Sequence, residues 1–203
     1  MWIMPDFDDL NVQMSNLGID EFSNSGMITW GGGGYVYVMF IDNLRIGGMG
    51  FGGSVSNDGI IGDFKHEAEY MIGGGALTIE YSLPFIKGFA VSPGVMIGGG
   101  SVHLDLYRNK GAYSWDGIWQ EQQGTGENIT RRMKTGYFTV SPTLNVDIPV
   151  NRFMAFRAGA GYLITIGDEW KVDNGVEISD VPSSLSGNSF FIQTGIFIGF
   201  FTF

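Results

Sequence analysis

Between Thr135 and Ile148 apolar and polar residues alternate without a break. Phe138, Val140, Pro142, Leu144, Val146 and Ile148 fall on one side, and Thr135, Tyr137, Thr139, Ser141, Thr143, Asn145 and Asp147 on the other. A repeat of two is that of an extended strand, whose successive side chains point to opposite faces. The same rhythm predicts strands at 27–41, 43–56, 64–82, 89–107, 133–148, 152–166 and 189–203. One segment departs from it: Phe7, Leu10, Met14 and Leu17 follow a helical period and predict a helix over 5–18. Asp6 is placed to cap its start, Asp8 and Asp9 suit its first turn, and Gly18 suits a left-handed end. The connections alternate in size. Those at 41–43, 83–88 and 149–151 are short, and those at 57–63, 108–132 and 167–188 are longer.

Alternation alone does not say which face meets solvent, so the polar face has to decide. It carries hydroxyls, amides and glycines, whereas a water-facing exterior normally carries Lys and Glu. The polar face therefore lines a narrow lumen and the apolar face looks outward. In 153–166 the outward set is Met154, Phe156, Ala158, Ala160, Tyr162, Ile164 and Ile166, with Arg157 opposed to it. Arg157, Arg45, Glu80 and Asp105 then point inward and are expected to fill the lumen as a buried ion-pair network. No run of apolar residues is long enough for a membrane helix, which needs about twenty, while a tilted strand needs about nine to eleven. The fold class is all-β: a single antiparallel up-and-down transmembrane-type β-barrel of about eight strands with one short N-terminal helix. It forms one domain over 1–203, with 5–18 in an extracellular loop or plug and the barrel strands in 27–203.

The segment Ser189–Phe203 has no charged residue and ends on Phe203, which resembles the closing strand of bacterial outer-membrane β-barrel proteins. The strings GGGGY at 31–35, NLRIGGMGFGG at 43–53 and FFIQTGIFIGF at 190–200 are similar to those of uncharacterised envelope barrels of that kind. The resemblance implies an outer-membrane location, short periplasmic turns and long extracellular loops, with Phe203 at the periplasmic end. It brings no activity. Bacterial single-chain barrels have an even number of strands, and only seven are legible. Met1–Met4 is placed as the top of an eighth, which is truncated, shortened or replaced by a neighbouring subunit's contact. The same four residues lack the positive and apolar regions of a secretory leader. The chain is thus read as a mature portion or as one beginning at Met1, and the second case counts against a membrane destination.

Glycine runs recur at 31–34, 47–53, 73–75 and 98–100, with Gly159 and Gly161 further on. Across two of them the apolar parity flips: Ala68, Tyr70 and Ile72 give way to Leu77, Ile79 and Tyr81, and Val91, Val95 and Ile97 to Val102, Leu104 and Leu106. A flip calls for an extra residue, so β-bulges or sharp bends are expected there. The glycine belt is either a device for curvature or a surface on which the helix or another barrel packs closely. Aromatics at strand ends are placed as interfacial girdles, with Phe40, Tyr81, Phe89, Phe153 and Phe203 below and Phe64, Tyr107, Phe138 and Phe190 above.

A net charge of −10 disfavours nucleic acid as a partner, and the absence of cysteine removes thiol chemistry. Gly at 33 of 203 and charged residues at 16% fit an envelope barrel better than a soluble domain. The weak catalytic candidates are Ser101, His103 and Asp105 on one strand face, with Glu67 and Glu69 expected opposite. Same-face strand side chains run parallel and do not converge, which favours a structural hydrogen-bonded cluster. Asp168, Glu169, Asp173 and Asp180 read as a solvated acidic loop, without the spacing of a calcium loop. Tyr113, Trp115, Trp119 and Trp170 suit either stacking on a ligand or loop anchoring. Asn128-Ile129-Thr130 matches a glycosylation sequon that matters only in a eukaryotic secretory context. No metal or cofactor is expected. The expected function is a non-enzymatic outer-membrane barrel with a structural or interaction role and a filled lumen, partnered by the bilayer or by neighbouring subunits as a homo-oligomer. The alternatives are a barrel subunit that assembles into an oligomer or extracellular filament, a small lipid- or ligand-binding barrel, and an outer-membrane hydrolase.

Overall fold

The computed structural model describes residues 1–84, 88–111, 114–121, 127–151, 153–167 and 169–198. Long antiparallel strands dominate: β3 (Trp30–Tyr37), β4 (Leu44–Ile61), β5 (Phe64–Tyr81), β6 (Ala90–Asn109), β7 (Ile129–Asn151), β8 (Met154–Leu163) and β12 (Ser189–Ile198). Short strands complete the set at β1 (Trp2–Met4), β2 (Met27–Ile28), β9 (Thr165–Ile166), β10 (Lys171–Val172) and β11 (Val176–Glu177). Helix α1 spans Asp8–Asn16 and α2 spans Trp115–Glu121. The hydrogen-bonded path runs β2-β1-β12-β8-β7-β6-β5-β4-β3 and does not form a closed ring. Its two ends, β2 and β3, are neighbours in sequence separated only by Thr29.

The expected strand at 27–41 is thus broken at Thr29, and the next strand runs on to Ile61. The connection expected to be long at 57–63 is a tight turn, with Ile61 opposite Phe64 and Gly62 in the left-handed region. The strand expected at 133–148 likewise extends from Ile129 to Asn151.

Register is continuous along the β4–β5, β5–β6 and β6–β7 pairs through all the glycine runs, so the expected bulges are absent there. Among the described residues the register of the main ladders shifts between Pro149 and Asn151, beside the β7–β8 turn. The parity flip has a different cause. The strand keeps its faces, and the chemistry of each face changes along its length. In the lower half most inward positions are polar, with Arg45, Thr78, Glu80, Ser92, Thr139, Ser141 and Asn145 buried beside Met96, while Leu77, Ile79, Phe138, Leu144 and Ile148 are exposed. In the upper half the inward positions are apolar, with Ala68, Tyr70, Ile72, Val102 and Leu104 buried. Outward there stand Ser54, Ser56, Asp58, Lys65, Glu67, Glu69, Arg132 and Lys134.

The upper half is organised like an ordinary aqueous core, and α1 completes it. Phe7, Leu10 and Met14 point into it, and Phe7 meets Phe22 and Tyr70 at ring distances of 5.1 and 5.0 Å. Leu17, expected on the same stripe, lies outside at 39% exposure. The side chain of Asn11 holds the returning chain by donating to the Phe22 carbonyl at 3.0 Å and accepting from the Phe22 amide at 2.8 Å. Asp6 accepts the Asp8 amide, and Gly18 takes the left-handed position at the helix end.

The belt of glycines has two kinds of member. An added Cβ at inward Gly98 would fall on the Gly75 carbonyl oxygen, whereas at outward Gly34 it would meet nothing within 4 Å. The inward glycine is therefore imposed by close approach of the neighbouring strand. Gly98→Ala is expected to cost about 1–3 kcal/mol of stability by overpacking, and Gly34→Ala to cost nothing, as read from denaturant midpoints.

Burial holds the Tyr70 phenol neutral and raises its pKa well above the ordinary phenol value. Since the folded value is the higher one, its stabilising contribution is complete below about pH 10 and is lost as pH climbs toward the folded pKa. Alkaline titration is expected to weaken the upper core above about pH 10, and less so in Tyr70→Phe.

Candidate functional site

The inward face of the lower half carries four charged side chains on two adjacent-strand pairs. Arg45 on β4 lies directly opposite Glu80 on β5, and Asp147 on β7 directly opposite Arg157 on β8. The two pairs meet across the axis. Arg45 donates to Glu80 Oε2 at 2.7 Å and to Asp147 Oδ2 at 2.6 Å. Arg157 donates through Nε and NH2 to both Asp147 oxygens at 2.6 and 2.8 Å, and through NH1 and NH2 to both Glu80 oxygens at 2.8 and 2.9 Å. All four side chains are at most 4% exposed. Asn145 donates to Glu80 at 3.0 Å, and Gln193 donates to Asn145 at 2.6 Å, carrying the network to β12. The Tyr35 ring lies 4.3 Å from the Arg45 guanidinium, and Phe197 4.4 Å from that of Arg157.

Two positive and two negative charges thus cancel within one hydrogen-bonded group. Mutual pairing with nearly complete hydrogen bonding is what makes such burial tolerable. A void of about 10 Å³ borders the group, so side chains fill the space between the strands at this level. Below it a mouth of about 860 Å³ opens between the short connections, lined by Tyr37, Val38, Ile41, Leu83, Phe89 and Pro149, with Arg45 and Asp147 at its inner end.

Of the expected network residues, Arg45, Glu80 and Arg157 come together and Asp105 does not. Parity in β6 is unbroken, so Asp105 faces outward in the upper half, where Tyr107 donates to it at 3.1 Å and Arg132 lies at 3.5 Å. Its place is taken by Asp147, already on the polar face of the alternating 135–148 segment. The legible signal was a carboxylate sharing the lumen parity of Arg157, of opposite sign, on the neighbouring strand.

Ser101 and His103 do make contact, with His103 Nε2 3.1 Å from Ser101 Oγ. They lie in a shallow outward depression with Gly53, Ser54, Met71 and Gly73. Met71 stands opposite His103, and Glu69 stands opposite Asp105. Among the described residues no hydrogen bond joins His103 to a carboxylate, so Ser101, His103 and Asp105 do not assemble as a triad.

Asp173 turns its carboxylate to Arg131 and to the Arg132 amide, Glu169 pairs with Lys171, and Asp168 lies outside the described residues. No group of His, Asp and Glu suited to a metal occurs among the described residues. Trp115 and Trp119 stack edge to face at 5.8 Å and are exposed, whereas Trp170 is buried in the upper core. Tyr113 and Phe203 lie outside the described residues. Phe64 lies at the upper extremity of β5, with Arg108 and Lys110 over its ring. Tyr107 likewise belongs to the polar upper half. Comparison of the chain with protein-family models, with curated proteins and with solved structures gives no match in any of the three.

Removing one partner from a buried ion group leaves the others uncompensated, at a cost of about 3–5 kcal/mol. Asp147→Asn and Glu80→Gln are each expected to lose stability on that scale in denaturant titrations. Asp105→Asn is expected to lose less than either, because Asp105, although 6% exposed, pairs with the exposed Arg132 and the Tyr107 hydroxyl and belongs to no four-charge group.

Proposed function

We propose that this chain is a membrane-embedded up-and-down β-barrel of about eight strands in a bacterial outer membrane, non-enzymatic, with a filled lumen and a structural or interaction role. The observation that carries the reading is the reversal of sidedness in the lower half, where apolar residues are exposed around the sheet and hydroxyls, amides and paired charges are buried within it. That is the arrangement for hydrocarbon outside and polar groups inside. The apolar and glycine belt covers Leu44–Gly53 on β4, Ile72–Tyr81 on β5 and Ala90–Gly100 on β6, lengths that suit a tilted membrane strand. Trp30, Phe138, Tyr162 and Phe190 are exposed near its upper limit, as aromatic side chains at an interface would be. The polar-faced upper half then stands in water outside the cell, and Trp2–Met4 supplies the upper part of an eighth strand. The four-charge group supports a closed lumen.

In detergent extracts the chain is expected to migrate faster unboiled than boiled, to float with liposomes, and to leave bilayer conductance at background. Purification as a soluble monomer without detergent would overturn the reading. Conductance above background would overturn the closed lumen. A second reading, a subunit of an oligomer or filament, draws on the tips of the short connections, where Met39 is 98% and Phe40 87% exposed. Negative-stain images of detergent-free material containing regular polymers would favour it over the first.

A further inference from the structure

The outward face of the upper half is acidic on one side and basic on the other. Asp58, Glu67 and Glu69 stand on β4 and β5, where Lys65 pairs with Asp58 and Glu67. On β6, β7 and β10 a single row carries His103, Lys134 and Lys171, each directly opposite the next. In a chain of net charge −10 this row is a local exception.

Lys134 stands at the centre of the row. Directly opposed side chains have Cβ atoms about 4.5–5.5 Å apart, and like charges so placed repel. Lys171 has Glu169 at 3.6 Å. Lys134 is exposed and, among the described residues, makes no ion pair or hydrogen bond. Glu69 and Asp105 stand one row higher, and Asp105 is taken by Tyr107 and Arg132.

On the lower side of the row is the depression that holds Ser101 and His103, about 350 Å³ in volume, with Ser54, Met71 and Gly73 in its wall. Ser101 is diagonal to Lys134 across the β6–β7 ladder, within reach of a long side chain. His103 Nε2 and Ser101 Oγ share one hydrogen bond, and with the ring as donor the serine proton is left to point into the depression. Four residues lower on the same faces, about 13 Å along the strands, Ile97 and Phe138 are exposed.

We propose that the depression receives the phosphate head of an anionic lipid, whose oxygens accept from Ser101, His103 and Lys134 and whose chains lie over Ile97 and Phe138. Charge sets the class of ligand, since a lysine ammonium with no carboxylate beside it attracts a compact anion. Height sets the source. The site lies where the apolar belt gives way to the polar upper half, the level at which a bilayer concentrates its head groups. An anion held there also screens Lys134 from Lys171.

The inference rests on the membrane reading and names a partner for that surface. It is tested on the whole chain in detergent micelles, titrated with dioleoyl phosphatidic acid or with dioleoyl phosphatidylcholine. Phosphatidic acid is expected to shift the amide resonances of Ser101 and His103, and phosphatidylcholine to leave them in place. Lys134→Gln is expected to weaken phosphatidic acid binding by about fivefold without lowering the thermal midpoint of the lipid-free protein. Lys65→Gln, on the acidic side, is expected to leave binding unchanged. Equal binding of the two lipids, or equal loss in the two lysine variants, overturns the proposal. Inorganic phosphate shifting the same resonances at the same concentration overturns the lipid as ligand. Failure to float with liposomes while phosphatidic acid still acts through Lys134 would defeat the membrane placement and leave the phosphate site standing.

Discussion

The structure depends on a constraint that belongs to every strand: successive side chains alternate faces, and a one-residue slip exchanges the two. Here the ladders from β4 to β7 keep that alternation over their whole paired length. A chain that must present oil outward at one level and water outward at another has two options, a bulge that swaps the faces or a change in what each face carries. This one changes what each face carries. Tyr70 and Glu80 share a face of β5, and so do Glu69 and Ile79, yet their surroundings are opposite. The transition falls at the glycines, which offer neither character and so spoil neither half.

Each level is then stabilised by different means. The upper level buries aromatic and aliphatic side chains from α1, the strands and the long connections in a conventional apolar core. The lower level has no such core, because most of its apolar side chains point away from the axis and Met96 is buried among polar groups. Its interior is held by hydroxyls, amides and the four-charge group, where the desolvation of each charge is offset only by close partners. Such a group adds little net stability compared with a well-packed apolar interior, but it penalises any register in which one member is missing. Its value is in fixing how β4–β5 and β7–β8 face each other.

Much of this was legible in the sequence. The β7 segment read correctly for inside and outside because its polar face is rich in Thr, Ser and Asn and lacks Lys and Glu. Arg45, Glu80 and Arg157 were legible as lumen residues because each stands alone among apolar and glycine neighbours. Asp105 is not legible as an outward residue, because a parity flip in apolar residues reads as a flip of the backbone when only the surroundings change. Asp147 was missed as a partner because alternation assigns a face but no height, and pairing Asp147 with Arg157 needs the register set by the irregular turn at Pro149–Asn151. The length of β4 was underread because its upper outward positions, Ser54, Ser56 and Asp58, look like a loop to any scale that expects one polarity per strand.

The arrangement of the charged group also bears on the order in which the sheet can be assembled. Arg45 and Asp147 are 102 residues apart, so their bond forms only when distant parts of the chain have met. Each of the two hairpins nonetheless brings one arginine and one carboxylate at the same height, so each is locally neutral before it meets the other. Either hairpin is therefore able to enter an apolar surrounding with its own counter-charge, and the four-way group closes as a late exchange of partners between two pairs that are already discharged.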